Sequence, residues 1–134
     1  MNNLYARCVF FVKDAERALQ FYTESLGFSV EWKSPAEGKV FVFEVGLFGF
    51  QLILNQIESD DDDRAGQGRV FIGLEVDQIQ AFLNHLQEKK IPTTVTHWGG
   101  PTMVIRDLDE NELYFWFPEK ERALLQTRLA QAGL

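Results

Sequence analysis

The 134-residue chain predicts an α+β fold: two tandem β-α-β-β-β modules followed by a C-terminal helix. Three observations carry this prediction. Short runs rich in Val, Ile, Phe and Tyr read as strands, and two longer stretches place apolar residues at helical spacing. The order strand, helix, strand, strand, strand occurs twice. Before each helical stretch stands an aspartate suited to cap it, Asp14 and Asp77.

Taken in order, "LYARCVFFV" is β-prone and ends near Asp14, which caps "AERALQFYTESL". In that helix Ala15, Ala18, Tyr22 and Leu26 form one face, and Gly27 supplies the stop. "FSVEW", "KVFVFEV" and "FGFQLILN" follow as strands, separated by Pro35, Gly38 and Gly46. The first module therefore covers about 4–56, and an acidic linker about 57–68. The second module, about 69–117, opens with the strand "RVFIGLEV". Asp77 caps "QIQAFLNHLQEKK", where Ile79, Phe82, Leu83 and Leu86 share a face. "IPTTVTHW", "PTMVIR" and "LYFWF" complete it. The last stretch, about 118–133, reads as a helix with Pro118 near its start and Gly133 near its end.

Composition narrows the function. With 46% hydrophobic residues the chain can bury one core as a single domain. No run approaches the roughly 18 apolar residues of a membrane span, and no basic segment precedes a long apolar stretch, so a soluble, cytoplasmic protein is expected. The lone Cys8 lies in "CVFFV" and reads as a buried structural thiol, with no disulfide framework within the chain. A net charge of −7 argues against nucleic acid as a partner. Glu58 and Asp60 to Asp63 make an acidic run that lacks the spacing of a calcium loop and reads as a solvated linker.

A duplicated module is a reason to expect a concave, sheet-lined cavity, and a flat sandwich covered by a partner subunit is the alternative. Periodicity does not choose between them.

Two phrases, "VKDAERALQFYTESLGF" and "HWGGPTMVIRDLDENELYFWFPE", resemble the hallmark segments of the vicinal oxygen chelate superfamily. That superfamily includes glyoxalase I, fosfomycin-resistance enzymes, extradiol dioxygenases and bleomycin-resistance proteins. The resemblance covers roughly residues 4–118 and implies an open eight-stranded cup. In metal-using members, it implies His, Glu or Gln ligands at four inward positions. The matching positions here hold Arg7, Gln51, Phe71 and Tyr114. Arg has no acceptor, Phe no lone pair, and a neutral Tyr is a poor ligand for a hard divalent ion, so neither metal nor cofactor is expected. His85 lies mid-helix, where a surface or packing role is expected. The character is closest to the metal-free bleomycin-resistance-like branch, and a homodimer is implied.

Strand alternation extends these positions into an inward set: Arg7, Val9 and Phe11; Gln51 and Ile53; Phe71, Gly73 and Glu75; Glu112, Tyr114 and Trp116. The alternate residues, such as Phe10, Ile72, Leu113 and Phe117, belong to the core. Trp32, Trp98 and Trp116 are suited to stack a planar ligand, and Glu75 or Glu112 to meet a positive charge on it. Arg7 is expected to pair with Glu75 or Glu112, or with an acidic ligand group. In "RDLDENELYFWF", Asp107, Asp109 and Glu110 read as a solvated connector. Leu47 and Phe48 form an apolar hairpin tip, expected to be covered by a partner subunit. The expected function is capture of a hydrophobic or aromatic small molecule, cationic where a carboxylate meets it. The competing readings are a metalloenzyme with a displaced site drawn from His97, Glu75 or Glu112, and a regulatory module whose cup is filled by its own side chains.

Overall fold

The computed structural model describes residues 5–74, 76–97 and 101–116. The first module comprises β1 (Cys8–Val12), α1 (Ala15–Gln20), β2 (Ser29–Ser34), β3 (Val42–Leu47) and β4 (Phe50–Gln56). The second comprises β5 (Arg69–Gly73), α2 (Val76–Glu88), β6 (Thr94–His97), β7 (Pro101–Arg106) and β8 (Glu112–Trp116). Each forms a four-stranded mixed sheet, ordered β1-β4-β3-β2 and β5-β8-β7-β6, with its first and last strands parallel. The α+β architecture of paired β-α-β-β-β modules is thus present, as two open sheets. The helix expected over 118–133 lies outside the described residues, as does Phe117.

Local chemistry explains the helix ends. Asp14 sits in extended backbone and accepts a hydrogen bond from the Arg17 amide at 3.3 Å, satisfying a donor that the first turn leaves unpaired. After Gln20 the chain widens into a π-helical turn, with the Leu26 amide donating to the Phe21 carbonyl at 3.1 Å. Gly27, at φ +83°, then ends it. Helix α2 begins at Val76, which places Asp77 within its first turn.

One separator is corrected. Gly46 lies within β3, and the hairpin turns at Phe48 and Gly49, both at positive φ. Its missing side chain leaves room for the tip of the Glu31 carboxylate, which would have to swing aside for a Cβ at 46. Glu31 is placed there by a register shift between Val30 and Trp32.

Alternation sorts the faces as expected. Phe10, Leu52 and Leu54 from the first sheet join Ile72, Leu113 and Phe115 from the second in one core with Tyr22, Phe82 and Leu86 of the helical segments. Burying each such side chain contributes about 1.5–3 kcal/mol. The hairpin tip is partly covered by its own chain: Phe48 meets Phe82 edge-on at 6.1 Å, and Leu47 packs on the core. His85 has the packing role expected of it, with Nε2 2.9 Å from the Ser25 carbonyl oxygen.

A polar seam joins the modules. The Asn111 side chain donates to the Phe11 carbonyl at the free edge of β1 (3.0 Å) and accepts from the Gly68 amide (2.8 Å). Its amide group also donates to Asp107 (3.0 Å). Asp107 is the clearest departure from the sequence reading, being 5% exposed where a solvated connector was expected. It accepts from the Tyr22 hydroxyl at 2.8 Å and from the Asp109 and Asn111 amides at 2.9 Å each. Burial pushes its carboxyl above the usual value, and these hydrogen bonds oppose the shift. Burial also drives the Tyr22 hydroxyl well up, reinforced by Asp107. Asp109 is engaged as well, accepting from the Lys13 amide at 3.2 Å.

Candidate functional site

The faces turned away from the helices carry the described strand residues of the predicted inward set, Glu75 lying outside the described residues. On the first sheet, register places Val9, Ile53, Glu44 and Trp32 in one row, because Val9 pairs with Ile53, Ile53 with Glu44, and Glu44 with Trp32. Gln51 lies opposite Gly46, beside that row. On the second sheet, Phe71 pairs with Tyr114, and Gly73 with Trp116. Val9, Trp32 and Phe71 are 45%, 42% and 46% exposed, which leaves apolar surface on both sheets open to a ligand or a partner. Cys8 points the other way, packs against the core, and has its thiol pushed up by burial, consistent with the structural role expected.

The charges pair differently from expectation. Among the described residues Arg7 forms no ion pair with Glu112; its Nε donates to Glu44 at 3.2 Å, and its guanidinium lies 4.4 Å from the Tyr5 ring centre. Glu44 is 7% exposed, so the pair leaves a nearly covered carboxylate in the middle of the first open face. Sequence reasoning missed it, although Glu44 is the single charge in the apolar run "VFVFEVGLF". Such an isolated charge in a strand was the available signal. Glu112 sits between Arg69 at 3.1 Å and Arg106 at 3.0 Å, and the Tyr114 hydroxyl donates to it at 3.3 Å. A carboxylate shared by two guanidinium groups is a weak receptor for a cationic ligand.

The linker is also more than a spacer. Ala65 forms an isolated bridge with Phe11, and Gly66, at φ +80°, crosses so close to the Asp109 carbonyl that a Cβ would collide with it. Residues 62–68 thus form a strap along the free edge of β1. The Arg64 guanidinium lies 3.8 Å from the centre of the Phe11 ring, and Asp62 accepts from its Nε at 2.8 Å and its Nη2 at 2.5 Å. Those side-chain hydrogen bonds hold Asp62 well below the usual carboxylate range. Val9, Phe11, Asp63, Arg64, Gln67 and Gly68 line an open, solvent-facing cavity of about 510 Å³ between strap and sheet, within the size range of small-molecule sites.

The four positions at which the resemblance leads one to expect metal ligands offer few donors. Arg7 is bound to Glu44, Phe71 and Tyr114 stand side by side with no strong donor between them, and Gln51 offers one neutral amide oxygen. Among the described residues, no group of three or more His, Cys, Asp or Glu side chains could hold an ion. Glu75 and Trp98 lie outside the described residues, as does the side chain of His97. No helix among the described residues is long and apolar enough to cross a membrane.

Known proteins agree with this architecture. The model of the Glyoxalase/Bleomycin resistance protein/Dioxygenase superfamily matches residues 5–115, and the chain belongs to that superfamily. No curated protein matches it. Among solved structures it is similar to the bleomycin-binding protein of bleomycin-producing Streptomyces verticillus, complexed with copper(II)-bleomycin: 17% identity over 89% of this chain and 99% of that one, TM-score 0.64. It is similar to a lactoylglutathione lyase from Agrobacterium tumefaciens, with 16% identity, 87% and 94% coverage, and TM-score 0.60. The fosfomycin resistance protein FosX from Mesorhizobium loti gives 12% identity, 92% and 99% coverage, and TM-score 0.57. At such identities these likenesses show the fold alone.

Proposed function

We propose that the chain is a metal-free binding protein that sequesters a hydrophobic or aromatic small molecule, in the manner suggested by the name of its bleomycin-binding neighbour. The observation that carries this reading is the content of the four family ligand positions. Arg7 is tied to Glu44, and Gln51, Phe71 and Tyr114 cannot together hold or activate a metal, while the surface around them keeps an aromatic, partly exposed lining. A ligand with a flat apolar body would be held by stacking and by displacement of water from Val9, Trp32, Phe71, Tyr114 and Trp116. Gln51 and the two ion-paired patches would orient it. Glu75 and Trp98 complete the proposed lining, and Glu112 takes part through its arginine partners.

The exposed apolar side chains of the open faces support a homodimer in which a second copy closes the site; the cytoplasm is its proposed place of action. Titration of the purified protein with a panel of aromatic drugs, followed by tryptophan emission and by elemental analysis after exposure to nickel, manganese, iron and zinc, tests the reading. Saturable binding with no stoichiometric metal is expected. Stoichiometric metal retained by the protein, or silence across the panel, would overturn it in favour of a metalloenzyme with a displaced site or of a module without a ligand.

A further inference from the structure

Resting on that reading, we infer that the strap between β4 and β5 is a wall of the ligand site, with Arg64 as its polar anchor, and that the anchor receives a neutral carbonyl oxygen on an aromatic ligand. The cavity supplies the first argument. Its floor is Val9 and Phe11, side chains of the open face, and its other lining residues come from the strap. A molecule lying on the first sheet next to β1 therefore touches the linker.

The state of Arg64 supplies the second. A guanidinium on a surface loop normally samples many rotamers and loses that freedom on binding. Here that freedom is reduced although half of the side chain stays exposed, because Asp62 takes the edge formed by Nε and Nη2 and the Phe11 ring lies under its plane. The other edge, Nη1 with the rest of Nη2, meets no acceptor among the described residues. It is a preorganised donor pair beside an apolar floor. Gly66 and Gly68 hold the strap in place at their close crossings of the Asp109 carbonyl and the Phe10 ring.

Charge decides which acceptor is taken. Glu58 and Asp60 to Asp63 surround the single Arg64, so the strap stays negative even with its guanidinium counted. An anionic ligand group gains the two donors but faces the carboxylates, Asp63 on the cavity wall first among them. An amide, ketone or quinone oxygen takes the same donors without that repulsion.

Calorimetric titration of the full chain with three probes of one shape, naphthamide, naphthoate and ethylnaphthalene, tests the inference alongside amide chemical shifts of Phe11, Arg64 and Gly68. Naphthamide is expected to bind tightest and to move those amides. Arg64→Gln is expected to weaken naphthamide about tenfold while leaving ethylnaphthalene unchanged. Arg64→Lys, which keeps the charge and loses the planar fork, should restore little of the preference. Equal affinities, tightest binding by naphthoate, or a naphthamide preference that survives Arg64→Gln would each overturn the inference, while the binding itself leaves the wider reading standing. If none of the three binds, the inference is overturned and the wider reading is decided by the drug panel alone.

Discussion

Two acidic segments of similar composition meet opposite fates. "ESDDDDR", from Glu58, stays on the surface, where Asp62 pairs with a neighbour two residues away and is held ionised. "RDLDENE", from Arg106, sends Asp107 into the seam between the modules, against Tyr22 from 85 residues away. The first arrangement is local and replaceable. The second gathers a tyrosine hydroxyl, two backbone amides and an asparagine amide around one carboxylate, so its loss strands several donors where water is scarce. Local charge density therefore says little about a carboxylate; what the fold brings opposite it says more.

The sharpest break of this contrast is Asp107→Ala, expected to cost about 3 kcal/mol in urea unfolding, since it leaves buried donors without an acceptor. Tyr22→Phe removes one of those hydrogen bonds and should cost about 1–2 kcal/mol, with the fold retained. A loss no larger than that of a surface substitution for both variants would show that the seam is not a structural joint.

The same contrast should appear in titration. Carbon-detected NMR is expected to place the Asp107 carboxyl above the ordinary value of 3.8 and the Asp62 carboxyl below it. The linkage signs are opposite. A raised folded value means that the contribution of Asp107 is fully present below 3.8 and is lost as pH rises through its folded value. A depressed value means that the contribution of Asp62 is present above 3.8 and is lost as pH falls through its folded value. Shifts in the same direction at both sites would contradict the account. The smallest effect is expected of Asp62→Asn, which should lower the urea midpoint only slightly and loosen Arg64, measurable as faster relaxation of its Nε–H.

Much of the fold was legible in the sequence because it depends on periodicity and punctuation. Asp14, Gly27 and the alternation of Phe10, Ile72, Leu113 and Phe115 each act within a few residues. The pairing of charges was not legible, because it depends on strand register. Arg7 reaches Glu44 only because β4 lies between β1 and β3, and Glu112 reaches Arg69 and Arg106 because β8 is flanked by β5 and β7. Gly46 was misread for a related reason: a glycine in an apolar run signals a turn as readily as a close approach by Glu31. The strap was read as a spacer since nothing in "DDDDRAGQG" predicts that Ala65 pairs with Phe11.

The central claim is ligand capture without a metal and without chemical change. Its most direct test is incubation of chelator-stripped protein with a bound aromatic drug, followed by repeat titration with each divalent ion added and by mass analysis of the released compound. The account predicts a dissociation constant unchanged by chelator or ion and recovery of the compound intact. Binding that appears only with a metal, or a compound released with altered mass, would contradict it.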